Sequence, residues 1–150
     1  MGKRYSFSKG MLLHGGGWKK MQQSAVSNDV FKQQIAQSLG AISVHDYYGM
    51  VEQTGTIYIE CEHGHLHAPV WSDITVVDAA TAEPLGNNQA GVILLNSVLP
   101  KSYPGHRLLT EDLGVIHGED DCACGRLGKY FSVLGRLAKS QVRGCSDTFS

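Results

Sequence analysis

The stretch Ser27-Asn28-Asp29-Val30-Phe31-Lys32-Gln33-Gln34-Ile35-Ala36-Gln37-Ser38-Leu39-Gly40-Ala41-Ile42-Ser43-Val44 decides the fold class. Ser27, Asn28 and Asp29 carry short polar side chains that can accept from the free N–H groups of a helix start. Val30, Phe31, Ile35 and Leu39 then recur at helical spacing, and Gly40 supplies a stop. Ala41 to Val44 is short and rich in β-branched residues, so it reads as a strand whose end carries His45-Asp46-Tyr47-Tyr48-Gly49 into a loop. Upstream, the apolar run Met11-Leu12-Leu13 ends after His14 at Gly15, Gly16 and Gly17, as expected for a buried strand delivering a backbone-rich loop. Strand, helix, strand is the signature of an α/β fold.

The rest of the chain reads as mainly β. Thr56 to Cys61 alternates as a strand does; Asp73 to Val77 and Ala90 to Leu95 follow, with Gly86-Asn87-Asn88 as turn chemistry between them. Tyr130 to Leu134 and Lys139 to Val142 are further strand candidates, divided by Gly135-Arg136. The sequence contains no internal repeat and no low-complexity segment.

A chain of 150 residues can bury roughly 70% of its unfolded surface, so residues 1–150 are expected to form a single domain without disulfide staples. The net charge is −1, and Lys and Arg are scattered, which argues against a nucleic-acid partner. No apolar run approaches the roughly eighteen residues of a membrane span. Met1 to Arg4 leads into Tyr5-Ser6-Phe7-Ser8, too polar for a signal-peptide core, so the expected compartment is the cytoplasm. There, Cys61, Cys122, Cys124 and Cys145 are expected as thiols with metal or chemical work rather than as a disulfide frame.

Two constellations carry chemistry. The first begins with Tyr48-Gly49-Met50-Val51-Glu52, which joins an aromatic ring, a glycine and a carboxylate. At a strand end of an α/β sheet, Tyr48 could stack on a base and Glu52 could offer a hard oxygen to magnesium. The amides of Gly15 to Gly17 could approach a phosphate or a base, with Trp18, Lys19 and Lys20 adding stacking or charge. Asp112, read as a loop residue after Arg107-Leu108-Leu109, could accept both hydroxyls of a ribose, and Arg136 could pair with ribose or phosphate oxygens. Any one of these is more often a turn, a packed ring or a surface charge; together they read as part of a nucleotide-activating enzyme.

The second constellation is Cys61-x-His63-x-His65-x-His67 at one strand end and Cys122-x-Cys124-Gly125 further along. Thiolates and imidazole at loop tips suit tetrahedral zinc, and ligands from two distant loops suit a structural site. His67 is the first choice for the histidine and His63 the second. Surface histidines beside incidental thiols are the plain alternative. Cys145 follows Arg143-Gly144, where a nearby cation could lower a thiol pKa and make it a nucleophile.

From His14 onward these residues carry a family likeness. His14 to Lys20, Asp46 to Glu52, Glu60 to Pro69, Ser102 to Gly118, Cys122 to Arg126 and Gly135 to Asp147 together resemble the C-terminal half of acyl-protein synthetases. These are the fatty-acid-activating component of the bacterial luminescence reductase system. More distantly the chain resembles phenylacetate-coenzyme A ligases within the adenylate-forming superfamily. The likeness implies the C-terminal portion of an adenylating enzyme's large α/β domain, a strand-helix-strand unit followed by a mainly β segment. It implies ATP and magnesium as cofactors, with Tyr48 on adenine, Glu52 helping to hold magnesium, and Asp112 and Arg136 on the ribose. It further implies structural zinc at Cys61, one histidine, Cys122 and Cys124, and an acyl group passed from the adenylate to a cysteine, here Cys145.

Two departures qualify the resemblance. Val51 stands where most of the superfamily has a threonine, and the Ser/Thr/Gly-rich phosphate loop is not in the sequence; Gly15 to Gly17 does not replace it. The expectation is therefore a long-chain-fatty-acid ligase of acyl-protein synthetase type. Its implied partners are a fatty acid, an acyl-acceptor reductase and an N-terminal half. The alternatives are a catalytically silent, zinc-stabilised nucleotide-binding or interaction fragment, and a fragment of an acyl- or aryl-coenzyme A ligase.

Overall fold

The computed structural model describes residues 6–17 and 23–137. The chain divides into two compact units, which join in sequence between Asp46 and Tyr47. In the first, β1 (Met11–Gly15) is a sheet neighbour of β2 (Ser43–Gly49), and α1 (Asn28–Leu39) connects them along the chain. Ser27 caps the helix, its Oγ accepting from Val30 N at 3.3 Å. Gly40 closes it with φ 91°, and a Cβ at that position would lie 3.0 Å from both the backbone N and O of Phe7. Those two groups are already engaged, Phe7 N donating to Leu39 O and Ala41 N donating to Phe7 O. Both conformation and packing therefore select glycine. Phe31, Ile35 and Leu39 are half-buried, as one face of a helix requires, and Phe31 meets the His14 ring edge-on at 4.7 Å.

β2 runs further than its sequence suggests. It continues to Gly49 because Tyr47, Tyr48 and Gly49 pair antiparallel with Ile59, Tyr58 and Ile57. Tyrosines suit a pleated, half-buried surface, so the expected loop is a strand.

The second unit contains β3 (Ile57–Glu60), β4 (Leu66–His67), β5 (Ser72–Val77), β6 (Ala90–Ser97), β7 (Arg107–Glu119) and β8 (Lys129–Arg136). With the end of β2 they pair antiparallel in the order β2-β3-β4-β8-β7-β6-β5. The meander from β5 to β8 thus returns its last strand to β4. Four expected strands are present as β3, β5, β6 and β8, and Asn87 and Asn88 form the expected turn. The expected strand from Lys139 to Val142 lies outside the described residues.

The loop expected at Asp112 is a correction: Asp112 lies within β7, which spans 13 residues. Thr110-Glu111-Asp112 hides the strand in sequence because the alternation breaks there, where Ile93 of β6 alone opposes all three residues. That is a bulge, not a strand end.

β6 lies inside the sheet with both faces covered. On one face Ile93 and Leu95 join Tyr58, Leu66, Ile74, Val76, Ile116 and Phe131 in the main core. On the other, Val92 and Leu94 pack with Val77, Leu113 and Leu137. Tyr58 and Phe131, both fully buried, meet edge-to-face at 5.3 Å and 84°, the arrangement favoured by the ring quadrupoles. Among the described residues no helix is long and apolar enough to cross a membrane.

Candidate functional site

Tyr48, Asp112 and Arg136 converge from β2, β7 and β8. The Tyr48 ring leans on the core, 6.0 Å from Tyr58 and 6.2 Å from Phe131, and its hydroxyl donates to Asp112 Oδ2 at 2.7 Å. Arg136 Nε donates to Asp112 Oδ1 at 3.2 Å. Register explains this second contact: Asp112 stands directly opposite Arg136, while Leu137 N bonds Glu111 O at 2.9 Å next to them. Asp112 and Arg136 thus form the non-hydrogen-bonded kind of pair, in which side chains come closest.

Burial is the largest reason that the Tyr48 phenol lies far above its ordinary value of 10.0, and the hydrogen bond to Asp112 and that carboxylate's charge add to it. Tyr48 therefore stays a hydrogen-bond donor over the whole physiological range. The Asp112 side chain keeps 13% of its surface exposed and Arg136 39%, so the cluster opens to solvent on the arginine side.

Glu52 lies in a single 3-10 turn, Val51–Gln53, that follows β2. The turn is pinned from beneath: Gln53 is buried and donates through Nε2 to Leu95 O at 3.3 Å and Gly105 O at 2.9 Å. From above, the Tyr103 hydroxyl donates to Glu52 O. Glu52 itself is exposed. Gly15, Gly16 and Gly17 are exposed in the first unit, and a Cβ at Gly16 or Gly17 would meet nothing within 4 Å, so the chain's own packing does not require glycine at Gly17. Trp18, Lys19, Lys20 and Cys145 lie outside the described residues.

The second cluster is tighter. One ligand atom from each of Cys61, His67, Cys122 and Cys124 falls within 4.8 Å of the others. Cys61 follows β3 and His67 ends β4, two paired strands; Cys122 and Cys124 lie in the connection from β7 to β8. Each loop is closed by its own backbone bond, Gly64 N to Cys61 O at 3.0 Å and Gly125 N to Cys122 O at 2.9 Å. Gly125, at φ 76°, gives the second loop a turn that L side chains rarely adopt. His67 Nε2 lies 3.4 Å from Cys124 Sγ. Two ligands of one tetrahedral zinc, at roughly 2.3 Å for sulfur and 2.0 Å for nitrogen, stand about 3.5 Å apart.

Cys124 and His67 are shifted toward the forms that bind a metal, whereas Cys122 is held as a thiol. Burial pushes the Cys122 thiol up to about 11, with Cys124 and Cys61 adding to it. At Cys124 burial also acts upward, but the Arg126 N–H and the hydrogen bonds with Cys122 and Cys61 outweigh it and bring this thiol below its usual range. Burial lowers His67, helped by Arg126, which favours the neutral ligand form. His67 Nδ1 is buried with no hydrogen-bond partner. Three buried or half-buried sulfurs and an under-satisfied imidazole fit a divalent soft-ligand ion.

Of the other histidines, His63 is exposed. His65 Nδ1 lies 3.8 Å from Cys122 Sγ, but its ring packs against His117 at 4.9 Å and Tyr130 at 5.0 Å. Nothing in the sequence singles out His117 and Tyr130, which border the cluster only because β7 and β8 pair. Thr110, which holds the bulge beneath Asp112, is equally silent in the sequence.

Comparison with known proteins gives this geometry a context. The chain is 26% identical over 142 residues to a long-chain-fatty-acid--luciferin-component ligase of Vibrio harveyi, covering 93% of this chain and 36% of that protein. It is 30% identical over 113 residues to a phenylacetate-coenzyme A ligase of Thermus thermophilus, covering 72% of this chain and 25% of that protein. The chain thus spans about a third or less of the curated relatives that it matches. Among solved structures, 2-hydroxyisobutyryl-CoA ligase in an open conformation with 2-HIB-AMP and CoA matches with a TM-score of 0.69 at 21% identity, covering 86% of this chain and 30% of that one. A luciferase-like enzyme from the mealworm Zophobas morio matches with a TM-score of 0.56 at 19% identity, covering 85% and 32%. The fold is therefore that of part of an adenylate-forming enzyme, as the sequence implied. Since the model of the family described as acyl-protein synthetase, LuxE, matches residues 3–150, the chain belongs to that family.

Proposed function

We propose that this chain supplies one wall of the nucleotide site of a ligase that activates a long-chain fatty acid as its acyl-adenylate and passes the acyl group to a protein thiol. The observation that carries the reading is the convergence of Tyr48, Asp112 and Arg136 from three strands, in a chain of the acyl-protein synthetase family. In this reading the Tyr48 ring lies along the adenine and Gly49 lets backbone approach it. Asp112 accepts from the ribose hydroxyls through its remaining lone pairs, while the Tyr48 hydroxyl and Arg136 hold the carboxylate in place. Arg136 balances the Asp112 carboxylate and reaches ribose or phosphate oxygens. In the first unit, Gly15, Gly16 and Gly17 would offer exposed backbone amides to a phosphate or a base.

The reaction needs no general base, because a fatty-acid carboxylate is already ionised when it attacks the α-phosphate and pyrophosphate leaves. The protein's contribution is to hold and orient, and to stabilise charge. Glu52, exposed and with its turn fixed by Gln53 and Tyr103, would hold magnesium, which when bound neutralises phosphate charge. Cys61, His67, Cys122 and Cys124 would hold a structural zinc that cross-links the β3–β4 and β7–β8 connections. Cys145 would accept the acyl group.

Fatty-acid-dependent pyrophosphate release tests the reading, with the chain complemented by the N-terminal portion of a luciferin-component ligase. Release that requires ATP and a long-chain acid is expected. Normal ATP binding without any fatty-acid-dependent release would refute it. The likeness to phenylacetate-coenzyme A ligase at 30% identity favours a second reading, in which coenzyme A replaces the protein thiol. Adding coenzyme A to the same assay separates the two: the first predicts an acylated protein, the second an acyl-coenzyme A.

A further inference from the structure

The β6–β7 ladder pairs Val92 with Leu113 and Leu94 with Leu109, so Ile93 stands alone against Thr110, Glu111 and Asp112. A bulge of this size strips ladder partners from backbone groups on both strands, and buried groups of that kind must find others. Two of them find the same side chain. The Thr110 hydroxyl donates to Ile93 O at 2.8 Å and accepts from Asp112 N at 3.1 Å. Thr110 is 6% exposed, so water does not serve this role in its place. On its other side β7 is bonded to β8 at Glu111, leaving the Asp112 N–H directed toward β6 and Thr110.

We propose that Thr110 is a positioning residue for the nucleotide site: its hydroxyl closes the bulge that aims the Asp112 carboxylate at Tyr48 and Arg136. The inference rests on the reading of Asp112 as a ribose-binding group. A β-branched residue also suits the strand, so shape alone would allow valine; only the hydroxyl explains threonine. Without it, Ile93 O and Asp112 N both lose their bond, the bulge relaxes toward another register, and Asp112 turns away from its partners.

The test compares AMP binding, read by NMR titration, in the wild-type chain and in Thr110→Val, Thr110→Ser and Asp112→Ala, with thermal unfolding followed in parallel. Thr110→Val is expected to weaken AMP binding about tenfold, the equivalent of one buried hydrogen bond. It should also shift the Tyr48 ring signals as their hydrogen bond to Asp112 is lost, whereas Thr110→Ser restores both. Thr110→Ala, which removes the hydroxyl without adding a methyl group, makes the same comparison if the valine variant does not fold. Wild-type affinity in Thr110→Val or Thr110→Ala, beside loss of binding in Asp112→Ala, would overturn the proposal while leaving the site intact. Wild-type affinity in Asp112→Ala would overturn the site itself and the proposal with it.

Discussion

Tyr48 and Asp112, 64 positions apart in the chain, are joined by a hydrogen bond of 2.7 Å from phenol to carboxylate. The bond ties the end of β2 to the middle of β7 and brings into contact two residues that the family resemblance assigns to adenine and to ribose. Replacing Tyr48 by phenylalanine keeps the ring and deletes the donor. Loss of a hydrogen bond to a charged group costs about 1.5–3 kcal/mol, so Tyr48→Phe is expected to weaken AMP binding by about tenfold or more. Titration calorimetry checks this; unchanged affinity would show that the ring alone is used.

The cluster of Cys61, His67, Cys122 and Cys124 makes a separate prediction. Wild-type protein purified with zinc should carry about one ion per chain, and Cys122→Ala should carry little. Because the ion would cross-link two distant connections, its removal by a chelator should also lower the unfolding temperature of the wild type but not of the variant. Mass-spectrometric metal analysis and a thermal melt read the two effects, and retention of stoichiometric zinc in Cys122→Ala would count against the site.

His117 gives a pH prediction. Its Nε2 lies 2.8 Å from Ser132 Oγ, and its ring faces His65 and Tyr130. Burial first, then the charge of His65, lowers its pKa below 6.5. The folded protein thus binds fewer protons than the unfolded chain in this range. The contribution of His117 to stability is full above pH 6.5 and is lost as the pH falls through the folded value. An NMR titration should place its midpoint below 6.5; a midpoint above it would contradict the burial assignment.

Phe131 anchors the main core, fully buried and packed edge-on against Tyr58. Phe131→Ala should destabilise the second unit by roughly 3–5 kcal/mol, measured by denaturant unfolding. A loss under about 1 kcal/mol would mean that the β3 and β8 faces do not share one core.

The sequence makes some of this plain and conceals the rest for physical reasons. Ser27 to Gly40 is legible because a cap, a helical stripe and a glycine stop are all local signals. Cys61 and Cys122-x-Cys124 are legible because few other uses favour that chemistry at that spacing. Asp112 is misread as a loop residue because the bulge at Thr110 breaks the alternation by which strands are recognised. Tyr48 is misread in the same way, since Gly49 is a turn signal in sequence but here pairs with Ile57 inside a ladder. Thr110, His117 and Tyr130 become informative only through strand pairing, which no local pattern encodes.

The central claim is that Tyr48, Asp112 and Arg136 form a nucleotide-binding wall. The most direct measurement is an NMR titration of the chain with a non-hydrolysable long-chain acyl-adenylate analogue, in the wild type and in Asp112→Ala. The account predicts saturable shifts centred on Tyr48, Asp112 and Arg136 in the wild type, and their loss in a variant that remains folded. Shifts that spare these three residues, or equal binding by Asp112→Ala, would contradict it.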